Sequence, residues 1–221
     1  MVRYQTMRCY MNNYKTICID LMETLIKRDD DSFYNKVNLI LGENVPVYKI
    51  KDKIRQKYLE YSMGNYTNDI EYLEVVIMTL LGEEPSDITV QNIRSCMLEH
   101  YEAIDGSIEF LREIKKRGYK IIIASNFVDS WAEELIDNLG FRPYVDKAVI
   151  SSSIHYRKPA KEFFDALIGE SEHPKNEMLF IGNSFCNDYM GALKYGLGAY
   201  LLRKNNEVGK GMTYTEILSV I

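Results

Sequence analysis

Apolar residues recur along this chain with two different periods, and the change between them divides it. The first clear signal is Ile17-Cys18-Ile19, which meets a carboxylate at Asp20 and turns through Leu21-Met22-Glu23-Thr24-Leu25. A strand buried on both faces reads as such an unbroken apolar run. From residue 27 to 104 the period becomes helical. Asp30 or Asp31 caps a helix with Phe33, Val37, Ile40 and Leu41 on one face, and Gly42 ends it. Val47, Ile50, Ile54, Tyr58 and Tyr61 mark a second helix closing near Gly64. Asn68 or Asp69 opens a third, with Leu73, Val76, Ile77 and Leu80 inward and Gly82 as its stop; a fourth over 89–102 carries Ile93, Met97 and Tyr101. Such amphipathic helices bury their stripes against one another as a compact bundle.

After Asp105-Gly106 helices and strands alternate. The pattern predicts a helix over 107–117 with Ile108, Leu111 and Ile114 inward, a strand over 119–124, and a helix over 130–139. A short strand follows at 148–151, then a helix to about 168 with Pro159 in its first turn. A strand over 178–181, a helix over 188–195 and a strand over 199–202 come next. Thr213-Tyr214-Thr215-Glu216 has the spacing of a capping box and starts a last helix. Alternation of this kind predicts an α/β fold, a doubly wound parallel sheet with right-handed crossovers. The all-helical stretch then reads as an insertion after the first strand.

Composition narrows the function classes. At 221 residues the chain can hold one large domain, or a core plus a small inserted one. A net charge of −5 leaves no basic footprint, which argues against nucleic acid as a partner. No apolar run approaches the roughly 20 residues that span a bilayer, so no membrane partner is expected. Residues 1–14 are polar, without the apolar centre of a signal peptide. Because Met11 lies close to the first strand, residues 1–10 read as a loose extension. Cys9, Cys18, Cys96 and Cys186 are scattered, with neither a CxxC pair nor histidines at zinc spacing. The expectation is reduced thiols and a cytoplasmic location.

Candidate chemistry gathers where strands end. Ligands of open α/β sheets bind just past the carboxyl ends of the strands. Asp20 follows the first strand and Ser125-Asn126 the second; Lys158 precedes Pro159 in Tyr156-Arg157-Lys158-Pro159; Asp188 closes Gly182-Asn183-Ser184-Phe185-Cys186-Asn187-Asp188. A lone aspartate after a strand is most often a cap or a solvated turn residue. Ser-Asn in isolation is ordinary helix-capping chemistry. His155 and Arg157 read as surface residues. Tyr34, Tyr48, Tyr58, Tyr61, Tyr66 and Tyr72 in the helical stretch read as packing before they read as a pocket.

In order and spacing these four segments resemble the motifs of the haloacid dehalogenase-like hydrolase superfamily, and the resemblance covers residues 15–203. It implies a Rossmann-like core, residues 15–26 and 105–221, with an inserted α-helical cap over 27–104. The strand of Asp20 would lie mid-sheet, beside the strand of Asn183. It further implies a phosphatase acting on a small phosphorylated metabolite. Asp20 would be the nucleophile and Lys158 a fixed positive charge beside it. Thr24, Ser125 and, through its backbone N–H, Asn126 would bind the phosphoryl group. Asp20, the Met22 carbonyl, Asn183 and Asp188 would hold Mg²⁺.

Two departures stand against that pattern. Members usually carry aspartate where this chain has Asn183, so one formal charge is missing from the metal set and weaker Mg²⁺ binding is expected. Phosphatases of the superfamily carry aspartate where this chain has Met22, as general acid to the leaving group; a thioether has no proton to give. The alternative is therefore a catalytically weak protein that binds an anion or a partner. A third reading is a 2-haloacid dehalogenase-like hydrolase, whose halide leaves without a proton. Dehalogenases carry Ser-Ser-Asn in the fourth motif, and Gly182-Asn183-Ser184-Phe185 does not reproduce it.

Overall fold

The computed structural model describes residues 13–42, 45–203 and 211–221; the expected extension over residues 1–10 lies outside them. Five parallel strands form the central sheet in the order β5-β4-β1-β6-β7. They are β1 (Thr16–Ile19), β4 (Lys120–Ser125), β5 (Lys147–Ile150), β6 (Met178–Gly182) and β7 (Gly198–Leu201). The register sets Ile17 between Ile121 and Leu179, and Ile19 between Ile123 and Ile181. Alternation then splits the side chains between two layers. Ile17, Ile19, Ile121, Ile123, Leu179 and Ile181 join one core cluster, while Cys18, Ile122, Ala124 and Phe180 join the other.

Helices α5 (Ser107–Lys116) and α6 (Asp129–Asn138) supply the first layer through Phe110, Leu111, Ile114, Trp131 and Leu135. Helix α8 (Lys161–Glu170) supplies the second through Phe163, Phe164 and Leu167. Thus β1 sits mid-sheet, covered on both faces, with β6 as its neighbour. This is the doubly wound α/β architecture expected from the sequence. The last helix, α10 (Tyr214–Leu218), begins with a complete capping box between Thr213 and Glu216.

Between β1 and α5 stand α1 (Asp30–Ile40), α2 (Val47–Tyr61), α3 (Asp69–Leu81) and α4 (Asp87–Glu99). Their stops are physical: Gly82 ends α3 in the left-handed conformation at φ +79, where a side chain is disfavoured. Two strands absent from the sequence reading frame these helices. β2 (Ile26–Arg28) and β3 (Tyr101–Ala103) pair antiparallel, Arg28 opposite Tyr101. The fourth helix therefore spans 87–99 and not 89–102, and Tyr101 belongs to the ribbon. Three-residue strands are too short to impose a period that competes with the helical one.

Smaller corrections follow the same logic. The helix expected over 188–195 begins as a π-helical turn, Phe185–Met190, before the short α9 (Gly191–Tyr195). Pro159 precedes α8, whose N-cap is Ala160. A single extra turn, α7 (Ser151–Ile154), follows β5.

The four-helix segment packs on the sheet domain through α6. Trp131 is fully buried; its ring stacks on Tyr58 and meets Tyr61 and Tyr72 edge-on, with centroids 5.7–6.4 Å away. Its Nε1 donates to Asp69 Oδ2 at 3.2 Å, and Arg94 pairs with both Asp69 (2.6 Å) and Glu134 (3.0 Å). Gly64 marks another close approach. A Cβ there would fall 1.9 Å from His155 Nδ1 and 2.9 Å from the Ser152 carbonyl.

Candidate active site

The end of β1 carries Asp20, only 6% exposed, with its backbone N–H tied to the Ile181 carbonyl at 3.0 Å. Beyond it the chain turns tightly around one acceptor. The Leu21 carbonyl takes the N–H groups of Thr24, Leu25 and Ile26 at 3.3, 2.8 and 3.0 Å. Glu23 adopts φ +56 at the apex, and this turn returns Thr24 toward Asp20. The C-terminal helix braces it from behind. Tyr214, stacked on Phe110 with centroids 4.7 Å apart, donates its hydroxyl to the Thr24 carbonyl.

The two carboxylate oxygens of Asp20 have unlike surroundings. Oδ1 accepts from Ser125 Oγ at 2.9 Å and from Lys158 Nζ at 2.8 Å. Oδ2 faces only a long contact from Thr24 Oγ1, at 3.4 Å. One oxygen is thus anchored and the other is left toward the opening of the site. Lys158 Nζ completes its donors with the Ala124 carbonyl at 2.8 Å and Asp188 Oδ1 at 2.6 Å. Burial works to lower the Lys158 pKa, but the Asp20 and Asp188 carboxylates outweigh it and hold the ammonium above its ordinary value. Burial pushes the Asp188 carboxyl up, against the pull of Lys158.

Asp188 is fully engaged: Oδ1 on Lys158, and Oδ2 accepting the Ser184 N–H at 2.9 Å. Gly182 makes room for it, because a Cβ there would lie 2.4 Å from Asp188 Oδ2. Both oxygens of this expected metal ligand therefore face protein donors. Asn183 is exposed, and its Oδ1 lies 3.4 Å from Thr24 Oγ1, the hydroxyl that also faces Asp20 Oδ2. Asn126 does not aim its side chain at the opening. Its amide clasps the Lys158 backbone, Oδ1 accepting from N at 2.7 Å and Nδ2 donating to O at 3.0 Å.

Asp20, Thr24, Ser125, Lys158 and Asp188 thus form one linked cluster, while Asn126 holds Lys158 in place and Asn183 stands at the rim. Arg157, read from the sequence as a surface residue, is half-buried and bonds Ser62 at the end of α2. His155 is exposed, and its ring faces the Met63 carbonyl at 3.2 Å.

A cavity of about 250 Å³ lies between sheet domain and helices, lined by Met22 and Asn126, chain neighbours of Asp20 and Ser125, and by none of the five clustered residues themselves. Met22 and Asn126 form its floor, and Tyr34, Arg55, Tyr58 and Tyr101 are among its walls. No local sequence signal marks Arg55 or Tyr101 as lining; only the fold brings them there. A larger groove of about 450 Å³ lies between α5 and α10, with Phe110 and Tyr214 among its lining residues.

The motif-bearing part of the chain, residues 14–196, matches the family model of haloacid dehalogenase-like hydrolases. The chain belongs to that family. Among its curated relatives is a glyceraldehyde 3-phosphate phosphatase of Methanothermobacter thermautotrophicus, 22% identical over 85% of each chain. A D-ribitol-5-phosphate phosphatase of Bacteroides thetaiotaomicron is 27% identical over 48% of this chain and 54% of its own. In structure, a HAD family enzyme of Bacteroides thetaiotaomicron solved with magnesium and inorganic phosphate superposes with a TM-score of 0.71. At 20% identity over 88% of this chain and 96% of that one, the likeness is one of fold. Asp20, Ser125, Lys158 and Asp188, the set that the motif resemblance implied, are the residues the structure links, and Met22 and Asn183 stand where that resemblance implied aspartate. Among its described residues no helix is long and apolar enough to cross a membrane.

Proposed function

We propose that this hydrolase is a phosphatase of small phosphorylated metabolites that works through Asp20. The observation that carries the reading is the asymmetry of that carboxylate, with Oδ1 fixed by Ser125 and Lys158 and Oδ2 left to react. Carboxylate nucleophiles are weak and need a held electrophile and neutralised charge. Oδ2 attacks phosphorus, the bond to the leaving oxygen breaks, and that oxygen departs with the electron pair. Water then attacks phosphorus of the aspartyl phosphate, releasing inorganic phosphate and restoring the carboxylate. Ser125 and Lys158 hold Asp20 through both steps, and the Thr24 hydroxyl lies within reach of the transferred oxygens.

Charge argues for a divalent cation. Asp20, Asp188 and Lys158 sum to one negative charge in a buried place, which repels a phosphate dianion. The Asp20 carboxylate and Asn183 Oδ1, which faces the Thr24 hydroxyl at 3.4 Å, are hard oxygen donors. With the Met22 carbonyl they suit Mg²⁺, which needs few protein ligands and keeps several waters. Bound there, Mg²⁺ would neutralise the phosphoryl oxygens. Asp188 serves this set through Lys158.

Residues 27–104 act as a cap over the 15–26 and 105–221 core, closing the cavity between them. Cys18 and Cys96 are buried free thiols, which suits a reducing compartment such as the cytoplasm. The second reading, an anion-binding protein of low turnover, is favoured by Met22 on the cavity floor, where no acid faces the leaving group.

The test is to trap the intermediate. Acid quench during turnover of p-nitrophenyl phosphate, with mass mapping, should find phosphate on the Asp20 peptide and none in Asp20→Asn. Label on another residue, or turnover that survives Asp20→Asn, overturns the assignment. Tight phosphate binding without label or turnover favours the second reading.

A further inference from the structure

The cavity between core and cap allows the substrate class to be narrowed, an inference that rests on the phosphatase reading. The cavity reaches the Asp20 cluster through chain neighbours of its members. Met22 lies two residues beyond Asp20 and Asn126 follows Ser125, whose hydroxyl bonds Asp20. A leaving group attached to a phosphoryl unit on Asp20 projects into it.

Size is the first constraint. Dry cavities of roughly 150 Å³ take a benzene ring, whereas drug-sized ligands need about 300–1,000 Å³. About 250 Å³ lies below the drug-sized range and suits one substituted ring or a short chain.

Polarity is the second. Sugar and polyol leaving groups need a free hydrogen-bonding group for nearly every hydroxyl, because unpaired buried hydroxyls cost affinity. Here most polar lining groups are already committed to one another. Arg28 donates to Asp30 at 2.7 Å and to the Tyr34 hydroxyl at 3.2 Å, and its guanidinium lies 4.3 Å from the Phe33 ring centroid. The Tyr58 hydroxyl donates to the Asn126 carbonyl at 3.3 Å, and the Asn126 amide is spent on Lys158. What remains is apolar and aromatic surface from Met22, Ile54, Met97, Tyr101 and Phe127. Among the described residues, Arg55 is the lining cation without an ion-pair partner, and it is exposed at the wall of the cavity.

Chemistry is the third. Met22 gives no proton, and the Asp30 carboxylate is paired with Arg28 at 2.7 Å. A leaving group that departs well as an anion fits this lining; an alkoxide does not. We propose that the substrate is a compact aryl phosphate bearing a second anionic group, with the ring on the Tyr/Phe/Met walls and the anion on Arg55. The phosphorus–oxygen bond breaks to release an aryl oxide, which takes its proton from water. Arg55 is the specificity residue.

Two measurements separate this from the phosphatase reading itself. The first compares kcat/KM for 4-carboxyphenyl phosphate and its methyl ester, which share a ring and differ in charge. Wild type should favour the carboxylate by about three- to tenfold, the reach of a partly exposed charge-assisted contact, and Arg55→Met should collapse the ratio to near one. The second titrates 4-carboxybenzylphosphonate and its methyl ester, which cannot turn over, into wild type and Arg55→Met. The same preference should appear in Kd and vanish in the variant. If both esters turn over equally in wild type, the aryl-anion subsite is wrong while the phosphatase reading stands. If the phosphonates show the preference but nothing turns over, the subsite stands and the phosphatase reading falls. Sugar phosphates turned over better than either aryl ester overturn the substrate class.

Discussion

Asn126 and Lys158 clasp each other through every polar group that the asparagine side chain has: Oδ1 on the Lys158 N–H at 2.7 Å, Nδ2 on the Lys158 carbonyl at 3.0 Å. The pair lies 32 residues apart in the chain. Its consequence is that the loop carrying Lys158 is fixed to the end of β4, so Nζ can reach Ala124, Asp20 and Asp188 at once. The Asn126 side chain is thus a positioning group, while its backbone N–H keeps the role expected of it toward the phosphoryl group.

Asn126→Ala is therefore expected to lower kcat on p-nitrophenyl phosphate by about 10²-fold, the usual effect of misplacing a catalytic group by about 1 Å. KM should change much less. Steady-state kinetics decides the point; a change confined to KM would return Asn126 to the substrate.

Lys158 carries structural weight as well as charge. It is one cation between two buried carboxylates, with 2% of its side chain exposed. Lys158→Met leaves Asp20 and Asp188 uncompensated and should cost about 3–5 kcal/mol in unfolding free energy. Adding Asp188→Asn should recover part of that loss. Denaturant titration of the three proteins reads it, and equal stability of Lys158→Met and wild type would contradict the buried triad.

The turn after β1 is braced by Tyr214. Tyr214→Phe keeps the ring on Phe110 and removes only the hydroxyl that serves the Thr24 carbonyl. Leaving that carbonyl unpaired should cost about 1–3 kcal/mol, measured by denaturant titration. No loss would mean that the turn stands without its brace.

Much of this arrangement is legible before folding. The runs around Ile17, Ile121 and Leu179 are apolar without a break because the strands are covered on both faces, and the carboxylate at the end of the first follows from the same pattern. What could not be read is what long-range pairing decides. β2 and β3 hold three residues each, with Lys27 and Glu102 exposed, and Tyr101 fits a helical stripe as well as a strand. The bonds from Arg157 to Ser62 and from Tyr58 to Asn126 span 95 and 68 residues, so no local period announces them. Asp188 is visible as a carboxylate after a strand, but only packing shows that its oxygens go to Lys158 and Ser184.

Asn183 is the proposed metal ligand that lacks a charge. Restoring a carboxylate with Asn183→Asp adds a full charge facing a divalent ion. Unit charges at about 4 Å attract by about 1 kcal/mol even in water, and a divalent ion doubles that, more than the 1.4 kcal/mol of a tenfold change. Calorimetric titration should show Mg²⁺ bound at least about tenfold more tightly by the variant. Equal affinities would place the ion away from Asn183.

The central claim is that Asp20 transfers phosphoryl groups from a site whose acid is missing at Met22. The measurement is kcat/KM for p-nitrophenyl phosphate and for an alkyl phosphate such as glycerol 3-phosphate, in wild type, Met22→Asp and Asp20→Asn. The account predicts turnover of the aryl ester by wild type, weak turnover of the alkyl ester, and a gain in Met22→Asp confined to the alkyl ester. That gain should be on the order of 10³-fold, within the usual reach of a general acid of about 10²–10⁴. Asp20→Asn should abolish both. Equal acceleration of the two esters by Met22→Asp, or wild-type preference for the alkyl ester, would contradict it.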